Sequence, residues 1–147
     1  MNENPIEILL VEDNQDDMDL TLRALRKANL ANRIQVARDG EEAMDFIFGE
    51  GAHTGRNVDH RPKVILLDLK LPKIDGMEIL KRVKADPRTK TIPVVVLTSS
   101  RETPDLAECY KLGVNAYVVK PIDFREFMKV VKAIGHFWFS SNVPPPR

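Results

Sequence analysis

Short apolar runs rich in Val, Ile and Leu alternate along this chain with longer amphipathic stretches. Runs that are apolar at nearly every position predict strands buried on both faces, and their alternation with helices is typical of a parallel sheet covered on both sides. The five predicted strands are Ile6–Val11, Ile34–Ala37, Val64–Leu67, Pro93–Leu97 and Ala116–Val119. The pattern therefore predicts an α/β fold of the three-layer, doubly wound (βα)5 type.

Apolar residues between these runs recur at helical spacing. The predicted core-facing stripes are Met18, Leu22 and Leu25, then Ala43, Met44 and Ile47, then Met77, Leu80 and Val83, and last Phe127, Val130, Val131, Ile134 and Trp138. The fourth helix has Thr103 as its predicted N-cap and Pro104 at its first position, and it ends at Gly113. Asp123 and Glu126 form a predicted capping box for the fifth helix.

Two segments fall outside this alternation. Gly49 to Pro62 contains three glycines and mixed charge, which predicts a long, mobile connector before the third strand. Residues 140–147 contain three consecutive prolines, Pro144 to Pro146, which cannot continue a helix. With 147 residues in all, we expect one domain over residues 1–139 and a proline-rich tail over residues 140–147.

The charge balance and the single cysteine narrow the function classes. Lys+Arg and Asp+Glu number 22 each, so no net charge favours binding to DNA or to an anionic membrane. Cys109 has no partner for an internal disulfide, which favours a reducing compartment. The N-terminus lacks the pattern of a signal peptide, and no window approaches a membrane span. We expect a cytoplasmic protein that binds neither nucleic acid nor membrane.

Polar residues follow the predicted strands at their carboxyl ends. These residues are Glu12 and Asp13, Asp68, Thr98 and Ser99, and Lys120. In the common strand order 2-1-3-4-5 these positions meet at the switch point, where open parallel sheets bind their ligands. Clustered carboxylates repel one another unless a hard cation such as Mg²⁺ neutralises them. The sequence therefore predicts a magnesium site in which Asp68 is suited to attack phosphorus and Lys120 to bind phosphoryl oxygens.

These residues lie in motifs that resemble the receiver domains of two-component response regulators, over roughly residues 5–135. The motifs are Val11-Glu12-Asp13, Leu67-Asp68 with the run from Leu71 to Gly76, Leu97-Thr98-Ser99, and Lys120-Pro121. The resemblance implies a flavodoxin-like fold and a stand-alone switch that takes a phosphoryl group from a sensor histidine kinase onto Asp68. It also implies Mg²⁺ held by Asp13, Asp68 and the backbone carbonyl of Lys70, with Glu12 acting through a metal-bound water.

The same resemblance implies how phosphorylation is transmitted. Thr98 would bind one phosphoryl oxygen and Lys120 another, and the aromatic switch residue would be Tyr117. The change would appear on the face formed by helix four, strand five and helix five. The resemblance further implies a cis Lys120–Pro121 bond, which would slow folding.

A narrower resemblance is to the small response regulators that pair with bacterial phytochrome kinases. It rests on the long connector, the Leu-Pro-Lys run and the aromatic end Phe137-Trp138-Phe139. It implies a homodimer through the helix-four to helix-five surface and the C-terminal aromatics, with Phe124 and Met128 adding apolar surface. Tyr117 and the aromatic end could equally serve only to pack the core.

Two positions flank the site, namely Lys70 and Ser100. In this family such positions modulate autodephosphorylation, and we expect Lys70 to slow it. We expect no enzyme activity other than the protein's own phosphorylation and its slow autodephosphorylation. Three other functions compete with this prediction. A phosphatase of the aspartyl-phosphate class normally has a second Asp where this chain has Lys70, which speaks against that class. A flavin or dinucleotide module needs a glycine-rich or hydroxyl-rich loop after the first strand, whereas this chain has the acidic stretch from Glu12 to Asp17. A receiver-fold interaction module that takes no phosphate remains the serious alternative.

Overall fold

The computed structural model describes residues 7–27 and 33–146, except the side chains of residues 139 and 140. Five parallel strands form one sheet in the order β2-β1-β3-β4-β5. The strands are β1 (Ile8–Val11), β2 (Ile34–Ala37), β3 (Val64–Leu67), β4 (Val94–Thr98) and β5 (Ala116–Val119). The predicted doubly wound fold and its strand order are confirmed. Ile6, at the start of the predicted first strand, lies outside the described residues.

Five α-helices cover the two faces of the sheet. They are α1 (Gln15–Lys27), α2 (Gly40–Phe48), α3 (Gly76–Ala85), α4 (Thr103–Leu112) and α5 (Phe124–Gly135). One buried cluster packs α1 and α5 against the sheet and includes Met18, Leu25, Phe127 and Val131. The other packs α2, α3 and α4 against the opposite face and includes Ala43, Ile47, Leu80 and Cys109. The central strands β1, β3 and β4 are buried along their whole length, which explains why they are apolar at every core position.

Aspartates begin three of the helices. The carboxylate of Asp39 accepts from the Glu42 N–H, that of Asp75 from the Glu78 N–H, and that of Asp123 from the N–H groups of Arg125 and Glu126. Each therefore satisfies a helix donor that would otherwise have no partner.

The fourth helix begins one residue earlier than predicted, because Thr103 is already helical and Glu102 is the N-cap. Glu102 makes no capping bond with its side chain. The Ser100 hydroxyl instead joins the loop to the helix start: it accepts from the Glu102 N–H at 3.3 Å and donates to Oδ2 of Asp105 at 2.6 Å. The predicted end at Gly113 is confirmed, and this glycine has the positive φ of 100° that such an end requires.

The connector of residues 49–62 is anchored to the end of α2 by Arg56. Arg56 donates from Nε to the Phe46 carbonyl at 2.6 Å and from Nη2 to the Ile47 carbonyl at 3.2 Å. Its guanidinium also lies 4.2 Å from the centre of the Phe46 ring, and the His53 ring meets the same ring edge-on. Arg56 thereby binds carbonyls that the helix itself leaves without partners.

The chain continues from α5 into a π-helical turn, His136–Ser141. Trp138 is half-buried and packs on the α1–α5 side of the core, whereas Phe137 is 51% exposed. Phe139, the third aromatic residue of this segment, lies outside the side chains that the structure describes. Among the described residues, no helix has the length and apolar character needed to cross a bilayer.

Candidate functional site

The strand register places the predicted site residues side by side. Val11 and Leu67 are opposite one another in β1 and β3, so Glu12 and Asp68, which follow them, are neighbours. On the other side, Thr98 is opposite Val119, and the Lys120 N–H donates to the Thr98 carbonyl at 2.7 Å. The prediction that these strand ends converge is therefore borne out in the geometry.

Close contact between α3 and the loop after β3 fixes the backbone of Asp68. The Gly76 N–H donates to the Leu69 carbonyl at 2.9 Å. A methyl group on Gly76 would overlap the Asp68 carbonyl oxygen and the Leu69 backbone. Only glycine allows α3 to begin this close to Asp68, which gives this residue of the Leu71–Gly76 motif a physical role.

The Lys120 ammonium lies at the centre of the site and is only 8% exposed. Its Nζ is 2.7 Å from Oε1 of Glu12, 2.8 Å from Oδ2 of Asp17 and 3.1 Å from Oδ2 of Asp68. Asp17 was not among the predicted site residues. A buried ammonium with three carboxylate partners is held in one position.

Burial and charge act in opposite directions on these groups. Burial raises the pKa of the Glu12 carboxyl to about 7, while the hydrogen bond and charge of Lys120 oppose that rise. Burial would lower the pKa of Lys120, but its hydrogen bonds to Asp17 and Glu12 and the neighbouring charges outweigh this effect and raise that pKa. Lys120 is therefore the fixed positive charge of the site, and Glu12 is the carboxyl that gains a proton near neutral pH.

The carboxylates also fit a divalent cation. One oxygen each from Glu12, Asp13 and Asp68 can be chosen so that all lie within 4.8 Å of one another, and Asp13 is exposed to the solvent from which an ion would enter. Together with Asp17, these carboxylates outnumber the single ammonium of Lys120 by four to one. A hard, oxygen-preferring cation would offset this excess of negative charge.

A chain of hydrogen bonds leads away from the site through the loop after β4. Thr98 is fully buried, and its hydroxyl oxygen accepts from the Ser100 N–H at 3.4 Å. The Tyr117 hydroxyl donates to the Ser100 carbonyl at 3.0 Å, and the Ser100 hydroxyl donates to Asp105 of α4. Ser100 thus connects the end of β4, the middle of β5 and the first turn of α4.

Lys70 approaches the site through its backbone rather than its ammonium group. Its N–H donates to Oδ1 of Asp68 at 3.4 Å. Its side chain is 71% exposed, and Nζ is 3.9 Å from Oδ2 of Asp105. The ammonium therefore lies between the loop after β3 and the first turn of α4.

The Lys120–Pro121 peptide bond is trans, so the predicted cis bond is wrong. Lys120 reaches its carboxylate partners from this backbone, and trans is the more stable form of an X–Pro bond by about 0.5–1 kcal/mol. The slow folding inferred from a cis bond has no basis in this structure.

Sequence reasoning missed Asp17 and Asp105. Asp17 lies in the first turn of α1, in the acidic stretch that follows β1. That stretch was a usable signal, whereas the partner, Lys120, lies 103 positions away. Asp105 carried no comparable signal, because its contact with Ser100 depends on how the loop after β4 bends.

Comparisons with known proteins agree with this geometry. Residues 8–132 match the response regulator receiver domain family. The chain is 41% identical over 144 residues to the probable methanogenesis regulatory protein FilR2 of Methanothrix harundinacea, covering 97% of this chain and 90% of that protein. It is 39% identical over 141 residues to the response regulator Rcp1 of a Synechocystis species, covering 96% and 94%.

Two solved structures share both the fold and the length of this chain. The Mn²⁺-bound form of Rcp1 superposes with a TM-score of 0.89 at 38% identity, and the phosphorylated cyanobacterial phytochrome response regulator RcpA with a TM-score of 0.89 at 40% identity. Each superposition covers 97% of this chain and all of the other. A metal-bound structure and a phosphorylated one are thus both known among similar proteins.

Proposed function

This chain belongs to the response regulator receiver domain family, and on that basis we propose that it is a phosphorylation switch whose phosphoacceptor is Asp68. The observation that carries the proposal is the Lys120 ammonium 3.1 Å from Oδ2 of Asp68, beside the Glu12–Asp13–Asp68 carboxylate group. A nucleophilic carboxylate, a cation site and a fixed positive charge are the parts that phosphoryl transfer requires.

The reaction follows from these groups. A carboxylate oxygen of Asp68 attacks the phosphorus of a phosphohistidine in a sensor histidine kinase. A P–O bond forms as the P–N bond breaks, and the histidine nitrogen leaves with the electron pair and takes up a proton. Lys120 offers its positive charge to the oxygens of the transferred group, and Thr98 offers its hydroxyl as a donor.

We propose Mg²⁺ as the cation, with Asp13, Asp68 and the backbone carbonyl of Lys70 as ligands and Glu12 acting through a bound water. When bound, the ion neutralises carboxylate charge and binds phosphoryl oxygens. The position of Asp13 supports this assignment, because it is the exposed member of the carboxylate group. Glu12 is nearly fully buried and in contact with Lys120, which supports an indirect role.

The conformational change is proposed to start at Thr98 and to pass through Tyr117 to the face formed by α4, β5 and α5. The route is supported by Ser100, which binds Thr98, Tyr117 and Asp105 at once. A phosphoryl group that draws the Thr98 hydroxyl toward Asp68 would pull on the same loop, which favours one of two arrangements of α4.

Lys70 is proposed to make the phosphorylated state long-lived. Hydrolysis requires a water that attacks phosphorus and displaces the Asp68 carboxylate. Lys70 lies next to that carboxylate, because its N–H donates to Oδ1 of Asp68 at 3.4 Å and its ammonium contacts Asp105 of α4. We expect Lys70→Asn to shorten the phosphoryl lifetime, and an unchanged lifetime would count against this role. The protein would then catalyse only its own phosphorylation and the slow hydrolysis of its own acyl phosphate.

A bacterial phytochrome kinase is the proposed partner. RcpA, whose structure superposes over 97% of this chain, is a phytochrome response regulator. FilR2 is as similar in sequence and is named for methanogenesis instead. Phosphotransfer profiling against a panel of histidine kinases that includes both kinds decides between them.

Homodimerisation through the α4–β5–α5 face and the C-terminal aromatics is proposed on the basis of exposed apolar surface. Phe124 and Phe137 are 53% and 51% exposed, and Tyr110 on α4 is 56% exposed. Met128, in contrast, is half-buried against the core. Analytical ultracentrifugation tests this dimer surface. The wild type, Phe124→Ser and Phe137→Ser are each measured with and without beryllofluoride. We expect a shift toward monomer in the variants, and an unchanged mass would refute the surface.

We further propose that residues 1–139 form the receiver unit and residues 140–147 a tail. A truncation after residue 139 should bind beryllofluoride as the whole chain does. Lost binding would show that the tail belongs to the folded unit.

The experiment that tests the central proposal is phosphorylation by acetyl phosphate in the presence of Mg²⁺, followed by intact mass. We expect one added phosphoryl group, none with chelator, and none in Asp68→Asn. Phosphorylation of Asp68→Asn to the same extent would refute the site. No mass change and no spectral response of the wild type to beryllofluoride would instead support a receiver-fold interaction module that takes no phosphate.

A further inference from the structure

Asp17 is an acid that the receiver motifs do not include, yet it contacts the most buried ammonium of the site. Its backbone is fixed in the first turn of α1: its N–H donates to Oδ1 of Asn14 at 2.9 Å, and its carbonyl accepts from the buried hydroxyl of Thr21 at 2.8 Å. Its carboxylate then reaches Nζ of Lys120. Asp17 is therefore held toward the site rather than placed there by a loose surface side chain.

Three carboxylates surround the Lys120 ammonium, which has three N–H groups. It donates hydrogen bonds to Asp17 and Asp68, and Oε1 of Glu12 lies 2.7 Å from Nζ. A phosphoryl oxygen that binds Lys120 must therefore displace one of them or share its hydrogen.

The three acceptors differ in what their release would cost. Glu12 has a side chain only 3% exposed, so releasing it would leave a buried carboxyl without its partner. Asp68 stays beside Lys120 because it carries the phosphoryl group itself. Asp17 is 29% exposed and can turn toward water. The structure makes Asp17 the contact that is given up most easily.

We propose that Asp17 is a positioning residue that holds Lys120 in the unphosphorylated state and competes with the phosphoryl group for it. Asp17 thereby lowers the affinity of the site for a phosphoryl group, and its release loosens the first turn of α1 from β5 when Asp68 is phosphorylated. This inference rests on the proposed function, because it concerns the residue that binds the phosphoryl oxygen.

The chain offers a matched control in Asp16. It is an acid in the same first turn, one residue away, and its side chain is exposed. Asp16→Ala and Asp17→Ala remove the same charge from the same helix terminus, but only the second removes a contact with Lys120. Asp17→Asn adds an isosteric variant that keeps an acceptor oxygen without the charge.

The test is titration of each protein with beryllofluoride at saturating Mg²⁺, followed by ¹⁹F NMR of the bound complex. We expect Asp17→Ala to bind about three- to tenfold more tightly than the wild type, the size of one partly exposed ion pair. Asp17→Asn should lie between them, and Asp16→Ala should match the wild type. In the protein without beryllofluoride, ¹⁵N NMR of the lysine ammonium groups should show faster proton exchange at Lys120 in Asp17→Ala only.

Each other outcome is decisive. Unchanged or weaker binding in Asp17→Ala, with normal binding by the wild type, overturns the competition and leaves the proposed function intact. An equal gain in beryllofluoride affinity in Asp16→Ala shows an effect of total charge and also overturns the competition by Asp17. If the wild type itself fails to bind beryllofluoride, the proposed function falls and this inference falls with it.

Discussion

Lys120→Met is the substitution that most directly tests how the site is held together. The side chain is 8% exposed and lies 2.7 Å from Glu12 and 3.1 Å from Asp68. Methionine has a similar length and fits the same space, so its main effect is to remove the charge. Two buried carboxyl groups then lose their positive partner.

The magnitude follows from these distances. At 2.7 Å the Coulomb attraction between Lys120 and Glu12 is about 6 kcal/mol at an effective dielectric constant of about 20, and desolvation opposes it. Removing one partner of a buried pair costs about 3–5 kcal/mol. We expect the free energy of unfolding of Lys120→Met to be lower by about that amount near pH 8.

The free energy of unfolding lost in Lys120→Met should depend on pH because Glu12 can take up a proton. Its pKa is about 7 in the folded protein, above the ordinary 4.5, so its contribution to stability is full below about 4.5 and is lost as the pH rises through 7. In Lys120→Met the ammonium that lowers this pKa is gone, so the free energy of unfolding continues to fall as the pH rises above 7. The difference between wild type and variant should therefore be smallest near pH 5, where Glu12 is neutral in both, and should widen above pH 7.

Urea denaturation of both proteins from about pH 5 to about pH 9 measures this difference. Lys81→Met, which removes an exposed lysine of α3, serves as the control and should change stability by less than about 0.5 kcal/mol at every pH. A cost for Lys120→Met that is the same at pH 5 and pH 9 would refute the reasoning about Glu12. A cost below about 1 kcal/mol at every pH would refute the buried ion pair itself.

Three further results are expected. Metal affinity should fall below pH 7, because Glu12 then gains a proton, and a Mg²⁺ titration that gives the same Kd at pH 6 and pH 8 would contradict that. Gly76→Ala should lower the free energy of unfolding by about 1–3 kcal/mol, because the added methyl overlaps the Asp68 backbone, and denaturation that matches the wild type would argue against this close contact. Ser100→Ala should lower the free energy of unfolding by about 1 kcal/mol, because it removes the hydroxyl that donates to Asp105. Unchanged thermal unfolding would show that this hydrogen bond does not contribute to the proposed route.

The fold and the chemistry of the strand ends could be predicted because both depend on local patterns. Val64–Leu67 is apolar throughout since β3 is covered on both faces, and Asp68 is the first residue after that strand. In a sheet of known order, the residue after each strand has a nearly fixed position. The meeting of Glu12, Asp68 and Lys120 at one edge of the sheet could therefore be predicted from the sequence.

The contacts that the sequence did not predict depend on the placement of helices and loops against the sheet. Asp17 meets Lys120 only because the long Lys120 side chain reaches from the end of β5, at the edge of the sheet, to the first turn of α1. Arg56 anchors the connector through carbonyls of α2, which no hydrophobic pattern reports. The cis bond was carried over from the resemblance alone, and here the backbone at Pro121 is trans.

The location of the phosphoryl group tests the account most directly. After phosphorylation with acetyl phosphate and Mg²⁺, borohydride reduces an aspartyl phosphate to homoserine, which peptide mass spectrometry assigns to one residue. We expect homoserine at position 68, and none there when the metal is removed by a chelator. Homoserine at Asp13 or Asp17 with Asp68 unmodified would contradict it.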